Sequence, residues 1–116
     1  MSEGLNRVCL GRRYQGDSVV AEAGVMRAFA QAVGDLNPSY VGDDPVAHPL
    51  FAVRLLRGLM PQLLGDPELG CDQSRLVHGE QRFTYEQPVR AGDSVALEGV
   101  VSAIEDKRSG QVLRVE

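Results

Sequence analysis

At 116 residues, with 43% apolar and 24% charged residues, the chain is sized for one globular domain with a single core and little surplus. Sixteen acidic and twelve basic residues leave a net charge of −4, and the basic ones are scattered, which excludes the stripe that a nucleic-acid binder presents. No apolar run approaches the ~20 residues of a membrane helix and the N-terminus lacks a signal-peptide core, so a cytoplasmic location is expected.

Residues 1–13 are polar and Gly-bearing, with Val8 to Leu10 as a short apolar patch. Residues 13–20 are predicted as a short first strand, with Tyr14 and Val19 as its heavier apolar members. Over residues 22–33, Val25, Met26, Phe29, Ala30 and Val33 recur at three- and four-residue spacing, which marks one helical face. Gly34 closes that helix, and Asp35, Asn37, Pro38 and Ser39 are turn and capping types. A loop follows over residues 42–45. Pro49 suits the first position of a second helix, because its missing N–H costs nothing there. Phe51, Val53, Leu55, Leu56, Leu59 and Leu63 make that helix apolar almost all round, as in a buried one. Pro61 is expected to kink or end it.

Residues 65–74 read as a Gly/Pro/Asp-rich loop, and the remainder as strand. Alternation over residues 76–87 sets Val77, Phe83 and Tyr85 on one face and His78, Glu80, Arg82, Thr84 and Glu86 on the other. After a turn at Ala91-Gly92-Asp93, residues 94–104 alternate through Val95, Leu97, Val101 and Ala103. A turn over residues 107–110 leads into a third strand over 111–116. Cys9 and Cys71 lack metal-type spacing and read as free thiols. His48 and His78 have no ligand-spaced partner, so neither a metal nor any other cofactor is expected.

The stretch Gly34-Asp35-Leu36-Asn37-Pro38-Ser39-Tyr40 resembles the hydration motif of the MaoC-like, (R)-specific enoyl-thioester hydratases and dehydratases. In that motif Gly-Asp-x-Asn-Pro is followed two residues later by a histidine, and here the position holds Tyr40. Leu76-Val77-His78-Gly79-Glu80-Gln81, with Pro88-Val89-Arg90-Ala91-Gly92-Asp93, is similar to the N-terminal hot dog of two-domain hydratases. The same half occurs as a separate chain in heterodimeric 3-hydroxyacyl dehydratases, and Asp106-Lys107-Arg108-Ser109-Gly110 is similar to its next hairpin. The resemblance implies an α+β hot-dog fold, an antiparallel sheet wrapped around a long central helix, in one domain over residues 1–116. Such domains continue into a fourth long strand. Half of one strand and all of the next are therefore expected to be missing, to lie in a tail, or to come from another chain.

Hydrating an enoyl thioester requires a base for water at C3, a proton donor at C2 and donors for the developing enolate oxygen. By resemblance Asp35 matches the motif carboxylate, Asn37 the motif amide, and Tyr40 stands in place of the base. His48 matches the histidine of a His-Gly pair whose glycine N–H holds the thioester oxygen, and that glycine is Pro49 here. A phenol with pKa about 10 is a poor base where an imidazole near 6.5 is suited. Proline has no N–H to offer. Asp35, Tyr40 and His48 are therefore expected to be vestigial catalytic positions, with Asn37 and the Phe51 end of the buried helix as substrate-binding elements.

Simpler readings stand beside these. Asp35 and Asn37 can be caps and turn formers, Tyr40 a packed ring with its hydroxyl bonded, and His48 a cap for the buried helix. His78 and Glu80 read as a structural or interface pair. The expected function is a non-catalytic or weakly catalytic half of a 3-hydroxyacyl-thioester dehydratase or enoyl-thioester hydratase. It would help to bind the acyl chain of a CoA or acyl-carrier-protein thioester, as a homodimer or with a catalytic hot-dog subunit. Two alternatives remain: an active (R)-specific enoyl-CoA hydratase using Asp35 with Tyr40 or His48, and a regulatory hot dog that binds acyl thioesters.

Overall fold

Two short strands, a run of short helices and three further strands follow one another in a computed structural model that describes residues 4–116, grouped in two units. The first unit comprises residues 4–17, 58–81 and 97–116. Its sheet has the order β1 (Arg13–Gln15), β4 (Glu98–Lys107), β5 (Gly110–Val115). β1 pairs antiparallel to β4 with Arg13 opposite Val100, and β4 pairs antiparallel to β5 from Lys107–Gly110 back to Val101–Val115. Cys9, Leu63, Leu69 and Val101 are fully buried in this unit, with Ile104 beside them. The predicted alternation of β4 fails at one point. The register shifts between Val101 and Ala103, so the inward phase passes from Gly99 and Val101 to Ile104 rather than Ala103. One extra residue at Ser102 turns every later side chain to the opposite face.

A polar tie closes this unit. Asp66 accepts the Tyr14 hydroxyl at 2.6 Å and Arg12 Nη1 at 3.0 Å on Oδ2, and the Glu68 N–H at 2.9 Å on Oδ1. Arg12 also reaches Glu68 at 2.6 Å. The Tyr14 hydroxyl bond, then the Glu68 N–H, then Arg12 hold the Asp66 carboxyl below its ordinary 3.8. Desolvation, followed by the neighbouring Asp66, pushes the Tyr14 phenol up to about 12 from 10.0. The two signs differ. The Asp66 contribution is complete above pH 3.8 and is lost as pH falls through its lower folded value. The Tyr14 contribution is complete below pH 10 and is lost as pH rises toward about 12. Urea midpoints measured against pH should therefore fall at both ends, and Asp66→Asn together with Tyr14→Phe should flatten both.

The second unit comprises residues 18–57 and 82–96. β2 (Val19–Val20) pairs antiparallel to β3 (Ser94–Val95), and α1 (Ala23–Ala32) follows, burying Met26 and Ala30. These join Ala21, Phe51 and Leu55 in the interior, with Val25, Phe29 and Val89 against Ala21, Met26, Phe51 and Leu55. Short helices α2 (Pro38–Val41) and α3 (Ala52–Leu55) complete it.

Three expectations are corrected. The first strand is split into β1 and β2, and residues 94–104 are split into β3 and β4. The helix predicted from Pro49 begins at Ala52 and is broken: α3 runs into a 3-10 turn at Leu56–Gly58, and α4 (Met60–Leu64) starts afresh. Pro61 has no N–H for the Arg57 carbonyl, and the Gly58 carbonyl accepts the Asp17 N–H at 3.2 Å. Pro61 therefore sits in the first turn of α4, where the missing donor has no partner to lose. Lastly, residues 76–87 form no strand. Alternation favours extended chain, but a strand exists only through a ladder, and among the described residues no strand pairing or β-bridge includes this segment.

Candidate functional site

The end of α1 sets the geometry. Gly34 takes a φ of +80°, its N–H donates to the Gln31 carbonyl at 3.1 Å, and the Asp35 N–H donates to the Ala30 carbonyl at 2.9 Å. This Schellman pair ends the helix and needs the left-handed backbone that glycine adopts without a Cβ clash. It projects Asp35 from the helix end. Asp35 Oδ1 accepts the Asn37 N–H at 3.2 Å, and Asn37 Oδ1 accepts the Ser39 N–H at 2.9 Å as the N-cap of α2, with Pro38 at its first position. The capping reading of Asp35 and Asn37 thus has direct geometry, and the Asn37 amide oxygen is occupied by it.

His48 is brought to the same place from thirteen positions further on. Its Nε2 lies 3.3 Å from Asp35 Oδ2, with the imidazole largely buried (13% exposed) and Asp35 half-exposed (40%). The Tyr40 ring meets the imidazole edge-on at 5.2 Å between centroids, and Phe29 lies tilted at 6.0 Å. The backbone that holds His48 is tightly turned. The Phe51 N–H donates to the His48 carbonyl at 2.8 Å, and the Leu50 N–H donates to His48 Nδ1 at 3.1 Å. His48 therefore caps the turn before α3 rather than the helix itself, whose N-cap is Phe51. Because Nδ1 accepts, a neutral imidazole carries its proton on Nε2, directed at Asp35. Both ring nitrogens are engaged.

The Tyr85 hydroxyl donates to the Pro49 carbonyl, inside the same turn. Desolvation holds its phenol above the usual value, so it is a donor throughout the neutral range. Sequence reading placed Tyr85 on a strand face with Val77 and Phe83 and gave it no part here. Nothing local signals the contact, since the partners lie 36 residues apart. Phe51 is only 2% exposed and packs edge-on against Phe29 at 5.5 Å, inside the core of this unit.

Asp35, Tyr40 and His48 are thus assembled, while Asn37 is a cap and Phe51 is interior. Along α1 runs an open groove of about 480 Å³ lined by Glu22, Gly24, Val25, Ala28, Phe29 and Arg54. Its lining is apolar apart from one guanidinium and one carboxylate. Among the described residues, no group of three or more His, Cys, Asp or Glu side chains could hold a metal ion. No helix among them is long and apolar enough to cross a membrane.

Comparison with known proteins bears on the family and the fold. The profile of the family described as FAS1-like, dehydratase domain region matches residues 9–116. A UPF0336 protein of Streptomyces coelicolor is 37% identical over 99 residues, which cover 78% of this chain and 66% of that protein. The chain thus spans just under two thirds of that relative's length. A UPF0336 protein of Thermobifida fusca is 35% identical over 122 aligned positions, covering 97% of this chain and 80% of its own. Among solved structures, the C-terminally truncated HadBC (3R-hydroxyacyl-ACP dehydratase) complex from Mycobacterium tuberculosis is similar, with a TM-score of 0.75 and 22% identity. That match covers 92% of this chain and 82% of the other, and it shows that the α+β fold is a hot dog.

Proposed function

Since the chain belongs to the family of FAS1-like dehydratase domain regions, we propose that it is a non-catalytic or weakly catalytic hot-dog half of a 3-hydroxyacyl-thioester dehydratase or enoyl-thioester hydratase. It contributes to binding the acyl chain of a CoA or carrier-protein thioester in the cytoplasm. The complete Asp/His pair is supplied by a partner hot dog. One observation carries this reading: His48, the one imidazole beside Asp35 among the described residues, accepts the Leu50 N–H on one nitrogen and faces the carboxylate with the other. A base needs a lone pair aimed at the water it deprotonates, and His48 has none to spare. Tyr40 and Pro49 at the other two motif positions support the same conclusion. The groove along α1, lined by Val25, Ala28 and Phe29 with Arg54 among them, suits a chain that ends on an anionic carrier. The structural neighbour is itself a complex, in keeping with a partner subunit.

The test is hydration of a crotonyl thioester by the purified chain. The expected result is a rate at background, unchanged by Asp35→Ala, and a rate well above background when a hot-dog subunit with the intact motif is added. The 3.3 Å contact between Asp35 and His48 favours a second reading, an active hydratase using that pair. Robust turnover by the chain alone, abolished by Asp35→Ala, would establish the second reading and overturn the first.

A further inference from the structure

Pro49 C=O and Leu50 N–H are the two ends of one peptide unit. The carbonyl end accepts the Tyr85 hydroxyl, and the amide end donates to His48 Nδ1, while His48 Nε2 faces Asp35. Tyr85, the Pro49–Leu50 peptide and His48 Nδ1 are therefore joined by two hydrogen bonds, with Asp35 Oδ2 3.3 Å from the far ring nitrogen. A bond to a carbonyl oxygen draws electron density from the peptide and makes its N–H a stronger donor, and it also fixes the rotation of the peptide plane. Pro49, whose ring fixes φ, leaves ψ as the one soft dihedral at that residue.

We propose that Tyr85 is the positioning residue of the Asp35–His48 pair: by anchoring the Pro49–Leu50 peptide it keeps the Leu50 N–H on Nδ1 and so sets the imidazole tautomer that presents Nε2–H to Asp35. The tautomer is the consequential quantity. With the proton on Nε2 the imidazole is a donor to Asp35, and with the proton on Nδ1 its Nε2 lone pair would face the carboxylate and repel it. Tyr85 thus holds His48 in the form that cannot serve as a base. The Asp35 carboxylate favours the same tautomer from the Nε2 side, while the peptide anchored by Tyr85 selects it from the Nδ1 side, and the Phe29 and Tyr40 rings lie beside His48. The inference rests on reading Asp35 and His48 as the remnant of the motif, but it requires neither turnover nor a partner.

Nitrogen-15 NMR of the two histidines tests it in the full chain. His78 is exposed and serves as the internal reference. In the wild type, His48 should show Nδ1 unprotonated and Nε2 protonated at neutral pH. Tyr85→Phe, which removes one oxygen, should lower the ratio of the Nε2–H to the Nδ1–H tautomer about 2- to 10-fold, the equivalent of one neutral hydrogen bond. His78 should not move. Should Tyr85→Phe fail to fold, 3-fluorotyrosine at position 85 keeps the shape and strengthens the donor, and His48 should shift in the opposite direction. A folded Tyr85 variant that leaves both His48 nitrogens at their wild-type shifts overturns the proposal. Turnover assays play no part in the readout, so loss of the non-catalytic reading would leave this result standing, and the reverse.

Discussion

Tyr40→His combined with Pro49→Gly is expected to raise crotonyl thioester hydration by the purified chain by roughly 10³-fold or more over the wild type. The first change returns a group of suitable basicity to the motif position. Such a base contributes on the order of 10²–10⁴ in rate. The second returns a backbone N–H where the thioester oxygen is expected to lie, a donor whose loss elsewhere costs about 10²–10³. Each single variant should gain less than its share of the product, because both groups act on one transition state and their effects are not additive. The Pro49 carbonyl is retained in Pro49→Gly, so the Tyr85 anchor survives, although the freed φ loosens the turn. Initial rates for the wild type, both single variants and the double variant decide the matter. A double variant no faster than the wild type would mean that neither departure limits the chain, and the proposed reason for its inactivity would fail.

What the sequence made legible was local. The face of α1, with Met26 and Ala30 inside, follows from three- and four-residue spacing, and the observed Ala23–Ala32 lies within residues 22–33. The turn at Gly34 and the caps at Asp35 and Asn37 follow from residue type, because their hydrogen bonds close within two to five positions. Features that depend on distant backbone were not legible. Residues 76–87 have the alternation of a strand and lack a ladder, and alternation reports only which side chains share a face. The bulge at Ser102 left no mark in composition, yet it exchanged Ala103 for Ile104 in the interior. The break ahead of Pro61 was half legible: proline announced an interruption, but the Gly58 carbonyl given to the Asp17 N–H fixed its place. At the candidate site, the family resemblance named Asp35, Tyr40 and His48, and the fold brings them together. The occupation of both His48 nitrogens could not, since one partner is a backbone amide and its anchor is a phenol 36 residues beyond Pro49.

Phe51→Ala is expected to cost the second unit about 3–5 kcal/mol of stability, because a whole aromatic side chain is removed from a packed interior and the space cannot close fully. Phe51 is 2% exposed, meets Phe29 edge-on at 5.5 Å, and shares the core with Ala21, Met26 and Leu55. Against a total of about 5–15 kcal/mol for a domain of ordinary stability, that loss is large. Phe51→Leu keeps much of the volume and should cost far less, about 1.5 kcal/mol or below. The pair of variants separates packing from ligand contact. If Phe51 serves the core, urea midpoints fall in the order wild type, Leu, Ala, and acyl thioester affinity, measured where each variant is folded, stays near the wild-type value. If it lines an acyl channel, as the sequence resemblance implied, affinity for long acyl chains falls in Phe51→Ala while the midpoint moves by less than about 1 kcal/mol, the scale of an ordinary surface change. Burial this complete, with Phe29 rather than Phe51 lining the groove along α1, favours the first result.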